Sequence, residues 1–191
     1  MNYGFLGTGN MSGAIIRGLA KSGEYEIYGY DPSRDALQEL AGSCGLIPCE
    51  SAEALIDAAE VLVLGVKPGV LPGVLSEHGA RMLKKARVII SIAAGKTLGF
   101  LEGFLPGVPV IRAMPNINAK ALSATSAYCS NGLCGEKENA AAEKMLSAVG
   151  SVWNLSEAEL DIFMALASAS IAYTYLYIDA LAEAALKAGM P

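Results

Sequence analysis

The sequence predicts an α/β fold, in which a doubly wound sheet is followed by a C-terminal segment that is all helical. Over the first 155 residues, short and almost continuously apolar runs alternate with longer amphipathic stretches. Such alternation is typical of a parallel sheet that is covered by helices on both faces. After Ser156 no strand pattern remains. We therefore expect a sheet domain at 1–155 and a helical segment at 156–191.

Each element follows from its local pattern. The first strand is YGFL at 3–6, and a helical pattern begins directly after it, near Asn10. Ser51 precedes the third helical pattern, where its hydroxyl is expected to cap the helix. Further strands are predicted at YEIYGY (25–30), CGLIP (44–48), EVLVLGV (60–66), ARVIISIAA (86–94) and VPVIRAMPN (108–116), and LSATSAYCSN (122–131) and SVWNL (151–155) continue the alternation. Helices are predicted at 10–23, 33–43, 51–59, 67–83 and 136–150.

Composition and charge exclude several classes of protein. The chain has 191 residues, 53% of them hydrophobic, and a mean hydropathy of +0.40, which indicates an apolar globular protein. Its net charge of −5, with no basic stripe, argues against nucleic acid as a partner. The start MNYGFLGTGNM lacks both a positive region and an unbroken apolar run. No signal peptide is therefore predicted, and we expect a cytoplasmic protein.

The cysteines give no pattern of metal ligands. They form two C-x4-C pairs, Cys44 with Cys49 and Cys129 with Cys134, and the only histidine is His78. Zinc sites favour C-x2-C pairs or additional histidines. We therefore predict no metal and expect the thiols to be small core residues in a reducing compartment.

A glycine-rich turn, GFLGTGNMSGA at 4–14, is the first feature that points to a ligand. Gly7 permits a tight turn after the strand, and Gly9 allows a bound group to approach the backbone closely. Ser12 stands at the third position of the fingerprint, where a small residue lets helix and strand pack. The free N–H groups of the helix that follows favour an anion such as a pyrophosphate. The alternative is an ordinary strand-to-helix turn with packing glycines, but Asp31 at the end of the second strand favours a Rossmann-type dinucleotide site.

The choice between NAD and NADP rests on the residues after the second strand. The carboxylate of Asp31 is suited to the adenosine ribose of NAD. Ser33 and Arg34 are suited to a 2′-phosphate, although Arg34 is also compatible with a solvated helix position. We predict NADP, with NAD as the alternative.

Four stretches taken together resemble the cofactor domain of pyrroline-5-carboxylate reductase, the last enzyme of proline synthesis. They lie in order through about the first 130 residues, and a weaker match continues in YLYIDALAEAALKAGMP at 175–191, which is similar to the family's first long dimerisation helix. The four stretches are FLGTGNMSGAIIRGL (5–19), GVKPGVL (65–71), ISIAAGKT (90–97) and VIRAMPNINA (110–119).

This resemblance implies reduction of the cyclic imine 1-pyrroline-5-carboxylate to proline, with a hydride from a nicotinamide cofactor. No acid–base set of side chains stands out, and the catalytic residue is left unknown. The expected cofactor-binding residues are Leu6, Gly7, Thr8, Gly9, Asn10, Met11, Asp31, Ser33, Arg34, Gly65, Val66, Lys67, Pro68, Ala93, Ala94 and Gly95. The resemblance places Met114, Pro115, Asn116 and Ser168 beside the substrate. Without the resemblance, Lys67 could equally be an ordinary exposed lysine, and residues 114–116 could equally be a strand cap followed by a turn.

The chain departs from the family pattern at two places. Ile117 and Asn118 stand where the family has Thr-Pro, and ASASIAY at 167–173 stands where it has Ser-Gly-Ser-Gly-Pro-Ala-Tyr. The loss of two glycines and a proline removes the signal for a helix break. The family also continues for several helices, which include a turn that holds the substrate carboxylate. The resemblance thus implies an incomplete helical segment at 156–191.

Residues 162–178 carry no charged side chain. This run is shorter than the roughly 20 residues that a bilayer span requires, so we predict burial against another subunit and no membrane. A homodimer or higher homo-oligomer is expected. Two other functions stay open: a related NAD(P)-dependent reductase of another imine or of a hydroxy or keto acid, and a non-catalytic homologue that binds a dinucleotide.

Overall fold

A computed structural model describes all residues from 1 to 191, and it confirms the alternation of strands and helices. The predicted strands are all present, within a few residues of the expected bounds. The strands are β1 (Tyr3–Leu6), β2 (Ile27–Tyr30), β3 (Ile47–Pro48), β4 (Val61–Leu64), β5 (Val88–Ser91), β6 (Val110–Met114), β7 (Ala124–Ser130) and β8 (Gly150–Asn154).

The helices α1 to α4 and α6 also match the prediction. Helix α5 has no counterpart among the predicted elements, because its sequence LGFLEGF is short and holds two residues of poor helix propensity. The Thr97 hydroxyl caps it by accepting from Phe100 N at 3.1 Å. The helices are α1 (Asn10–Ala20), α2 (Arg34–Cys44), α3 (Ala52–Ala58), α4 (Leu71–Lys85), α5 (Leu98–Phe104), α6 (Glu136–Ser147), α7 (Glu157–Phe163) and α8 (Ser170–Lys187).

The strands form one sheet in the order β3-β2-β1-β4-β5-β6-β7-β8. The order reverses between β1 and β4, and open α/β sheets bind ligands at such a switch point. The expectation of a purely parallel sheet is wrong at one place, since β7 runs antiparallel to β6. Residues 115–123 join these strands and include a short 3-10 turn, Ile117–Ala121, whereas a parallel pair would need a crossover of about a dozen residues or more.

Apolar side chains cover both faces of the sheet, as predicted. One face packs against α1, α2 and α6 in a cluster of 24 buried residues. The other packs against α3, α4 and α5 in a cluster of 16. Of the four free thiols only Cys129 is buried, which confirms the expectation of a core cysteine for that residue. Cys44, Cys49 and Cys134 are half-buried and pack against the two large clusters from outside, so the expectation holds for them only in part.

The C-terminal segment is one continuous helix. A π-helical turn, Met164–Ala169, joins α7 to α8 without interruption, as expected from the absence of a helix-break signal at 167–173. The helix Glu157–Lys187 contains an 18-residue window with a mean hydropathy of 1.3, so it is long and apolar enough to cross a membrane by length and composition. None of that window is buried in the chain. The division into two domains near residue 155 stays a prediction.

Candidate cofactor and active site

The turn between β1 and α1 needs glycine at position 7. Gly7 has φ +93°, which L side chains rarely adopt. A Cβ there would also lie 2.8 Å from the backbone of Gly65 and Val66, at the end of β4. Ser12 is buried next to Gly65, and a side chain at position 65 would collide with the Ser12 hydroxyl. The turn therefore depends on small residues on both sides of the switch point.

Gly9 differs from Gly7, because its surroundings are open. Its φ of −63° suits any residue, and a Cβ would meet no atom within 4 Å. Helix α1 begins there without a side-chain cap, and its first backbone hydrogen bond runs from Gly13 N to the Gly9 carbonyl at 2.8 Å. The leading N–H groups of such a helix have no partner within it. Open space over these donors is the arrangement that an incoming phosphate group requires.

Asp31 fixes the turn from the end of β2. Its Oδ2 accepts from Thr8 N at 2.8 Å and its Oδ1 from Ser33 N at 2.9 Å. The carboxylate thus joins the glycine turn to the start of α2. Arg34 is the exposed first residue of α2 and lines a cavity of about 420 Å³ together with Asp31.

A larger cavity, of about 560 Å³, lies at the switch point. Seven of the sequence-predicted residues line it: Leu6, Gly7, Gly9, Asp31, Gly65, Val66 and Lys67. Its size and its position beside the free end of α1 fit the adenosine and pyrophosphate part of a dinucleotide.

Other predicted residues lie outside this cavity. Thr8 is buried in the turn, and the side chain of Met11 packs against the hydrophobic cluster on the α1 face. Asn10 and Ser33 are exposed. Pro68 lies in the turn that starts α4, where the Lys67 carbonyl accepts from Val70 N at 2.9 Å.

The helical wall of the cavity was not predicted from the sequence. Val70, the N-cap of α4, and then Val74 and His78 follow at a spacing of four, and this spacing indicates that the three side chains share one helix face. His78 Nδ1 lies 3.2 Å from Glu53 Oε1, at the start of α3. The other missed residues are Tyr30, Pro32, Ala52, Glu53 and Glu77. Glu53, Glu77 and His78 hold ligand atoms within 4.8 Å of one another, and the absence of a metal stays a prediction.

The end of β5 supplies the next predicted group. Ala93 is buried and donates its N–H to Ser91 Oγ at 3.3 Å, while Ala94 and Gly95 are exposed. Gly95 has φ +71°, so the chain reverses there before Thr97 caps α5. The exposed residues 94 and 95 carry no side chain larger than a methyl group, so a ring can approach the backbone closely there.

The predicted substrate residues meet at the end of β6. Met114, Pro115 and Asn116 are buried. Asn116 Nδ2 donates to the Ala167 carbonyl at 2.9 Å, and its Oδ1 accepts from Asn118 N at 3.2 Å. Asn116 therefore caps the 3-10 turn and also holds the π-helical turn. The adjacent Ser168 hydroxyl is buried and has no hydrogen-bond partner within the chain.

The strand order, the glycine turn and the open end of α1 together define the chain as a Rossmann-type dinucleotide-binding protein. Residues 2–95 match a family model described as "NADP oxidoreductase coenzyme F420-dependent". The chain belongs to the pyrroline-5-carboxylate reductase family. It is 34% identical to the pyrroline-5-carboxylate reductase of Escherichia coli K12, over 98% of this chain and 71% of that one.

Solved structures agree with this assignment. The chain is similar to the 1-pyrroline-5-carboxylate reductase of Streptococcus pyogenes, with 35% identity and a TM-score of 0.87 over 100% of this chain and 72% of that one. It is also similar to a Plasmodium falciparum pyrroline carboxylate reductase solved with NADP bound, at 26% identity and a TM-score of 0.88 over 100% and 71% of the two chains. The predicted family and fold class are confirmed.

Proposed function

We propose that this chain reduces 1-pyrroline-5-carboxylate to L-proline with a reduced nicotinamide dinucleotide. The observation that carries the proposal is the 34% identity to a named reductase over nearly the whole chain. The open glycine turn at the switch point supports it, because it supplies what a dinucleotide pyrophosphate needs.

The residues of this chain have separate tasks in the proposal. Gly7, Gly9 and the first N–H groups of α1 hold the pyrophosphate, and Asp31 keeps their turn in shape. Val66, Lys67 and Pro68 follow β4, and residues 93–95 follow β5, so both groups border the path from the switch point toward β6. The bound cofactor supplies the hydride for the imine carbon.

Residues 114–116 and Ser168 border the end of this path near β6, where the imine is proposed to bind; we call this the imine end. The chain's contribution there is to hold the imine in one orientation and to keep water away, since proximity and desolvation lower the barrier to hydride transfer. Ser168 brings a buried hydroxyl that is free to donate or accept a hydrogen bond. The Asn116 amide has an indirect role, because its hydrogen bonds hold the backbone at Ala167 and Asn118 in place.

NADPH is the proposed cofactor, and Arg34 is the residue that reads its 2′-phosphate. Replacing Arg34 by alanine is expected to weaken NADPH about ten- to one-hundred-fold relative to NADH, since a hydrogen bond to a charged group contributes about 1.5–3 kcal/mol. Dissociation constants from fluorescence titration measure the ratio. Arg87→Ala is the control, because Arg87 is exposed just before β5, at the amino ends of the strands and away from the cavity at their carboxyl ends. Equal weakening of both cofactors would remove this role from Arg34.

A panel of substrates separates the proposed activity from its alternatives. We expect consumption of NADPH with 1-pyrroline-5-carboxylate and at least tenfold less with acyclic imines, hydroxy acids and keto acids. A preference for another member of the panel would point to a related reductase. Cofactor binding without turnover of any member would point to a binding protein.

We infer that a second copy of this chain is the protein partner and that the protein works in the cytoplasm. Large apolar side chains along α7 and α8 are exposed in the single chain, and a partner that buries them resolves this exposure. The small-molecule partner is the cyclic imine.

A further inference from the structure

Arg112 is the only charged residue that is buried in this chain, with 1% of its surface exposed. It stands in β6, between Ser91 of β5 and Cys129 of β7. Burying a charge is costly unless it is paired and hydrogen-bonded. A residue of this kind in the central part of a sheet needs an explanation that apolar packing does not supply.

Two carboxylates of α7 pair with the guanidinium. Arg112 Nη1 lies 3.1 Å from Glu157 Oε1, and Nη2 lies 2.7 Å from Asp161 Oδ1. Burial lowers the pKa of Arg112, but the hydrogen bonds that the guanidinium donates to Asp161 and Glu157 outweigh this effect and leave the pKa above its usual value. Glu157 and Asp161 are four residues apart, so both lie on one face of the helix.

The same ion-pair cluster lies next to three segments along the chain: the loop 93–97, residues 114–116 and the π-helical turn 164–169. Glu157 Oε1 also accepts from Leu98 N at 2.7 Å, and Leu98 follows the 93–97 loop directly. Asp161 lies just before the π-helical turn 164–169, whose Ala167 carbonyl accepts from Asn116. Strand β6, which carries Arg112, leads into 114–116.

The chemistry of the pairing favours a geometric role over a purely stabilising one. Arg112 Nε has no hydrogen-bond partner, so the buried charge is incompletely satisfied. Buried ion pairs often stabilise a fold no more than apolar residues of similar volume. A planar guanidinium fork, however, can hold two carboxylates at fixed positions, which a lysine ammonium does less well.

We propose that Arg112 is a positioning residue, which bridges Glu157 and Asp161 so that helix segment 157–169 lies in register across the ends of β5 and β6. The bridge keeps the Ser168 hydroxyl and residues 114–116 in one arrangement around the imine. This inference rests on the proposed function, since it assigns these segments to the substrate. Arg112 itself does not contact the substrate.

The test uses the full chain with Asp161→Asn, Arg112→Lys and, as a control, Asp179→Asn on α8. In Asp161→Asn the KM for the imine is expected to rise about tenfold, while the KM for NADPH stays within about twofold, because one charge-assisted hydrogen bond is lost. Arg112→Lys is expected to retain NADPH binding and to lose imine affinity at least as strongly. Unchanged imine KM values in both folded variants would overturn the proposal.

Hydrogen–deuterium exchange separates this outcome from failure of the proposed function. If the unmodified chain reduces no imine, the proposed function fails, and exchange at residues 164–170 then decides the positioning role. Faster exchange there in Asp161→Asn, but not in Asp179→Asn, would support Arg112 as the residue that orders this segment. Equal exchange in both variants would overturn it. Arg112→Lys can fail to fold without affecting this decision, because Asp161 is more than half exposed and its asparagine variant keeps the guanidinium in place.

Discussion

Replacing Gly9 by valine is expected to abolish the binding of both NADH and NADPH while the chain stays folded. The φ of Gly9 suits valine, and the space around a Cβ is empty in the chain itself. That same space is where the pyrophosphate must approach the first N–H groups of α1. We expect at least a hundredfold loss of affinity in isothermal titration, with an unchanged far-ultraviolet circular dichroism spectrum.

Two further glycines are matched controls for this variant. Gly42→Val changes an exposed position of α2 where a Cβ also meets no atom within 4 Å, so it should bind both cofactors normally. Gly7→Val places a side chain in a left-handed conformation and against the backbone of residues 65 and 66, so it should lower the melting temperature. Normal cofactor affinity in Gly9→Val would remove the glycine turn from the binding site.

The second large effect concerns the helix at 157–187, which we expect to form the interface of a homodimer. Burial of each large apolar side chain stabilises a protein by about 1.5–3 kcal/mol, so a surface with many of them exposed favours association. A two-fold pair needs only one self-complementary surface. The large side chains exposed on this helix are Ile162, Leu166, Tyr173, Tyr175, Leu176, Tyr177, Ile178, Leu181 and Leu186.

Sedimentation velocity at micromolar concentration measures this association directly. We expect the unmodified chain to sediment as a dimer and Leu176→Glu to shift it toward monomer, because a carboxylate cannot be buried unpaired at low cost. Leu133→Glu is the control, since Leu133 is also exposed but lies between β7 and α6. A clean monomer of the unmodified chain, with this helix ordered against its own sheet, would contradict the expectation.

The order of strands and helices could be predicted because each element carries a local pattern. The continuous apolar runs of β4 and β5 mark buried strands, and Ser51 marks the start of α3 by its capping hydroxyl. The direction of β7 could not be predicted in this way. It depends on the shortness of the link from β6, and a segment of five residues in a 3-10 turn has no distinctive pattern.

The residues of the candidate site divide in the same way, into those that a local sequence pattern indicates and those that only the fold brings together. The glycine turn and Asp31 are visible in sequence because the turn needs particular residues at particular spacings. The wall formed by Val74 and His78 could not be predicted, because the sequence does not show which face of α4 turns toward the switch point of the sheet. The cluster of Arg112, Glu157 and Asp161 joins positions about fifty residues apart. No local pattern reports such a contact.

The measurement that tests the central claim most directly is the formation of proline from 1-pyrroline-5-carboxylate by the purified chain with NADPH. Proline from amino-acid analysis and NADPH loss from absorbance are followed in the same reaction. We predict one proline for each NADPH consumed by the unmodified chain, and neither change above background with Gly9→Val. NADPH binding by the unmodified chain without proline formation would contradict the account.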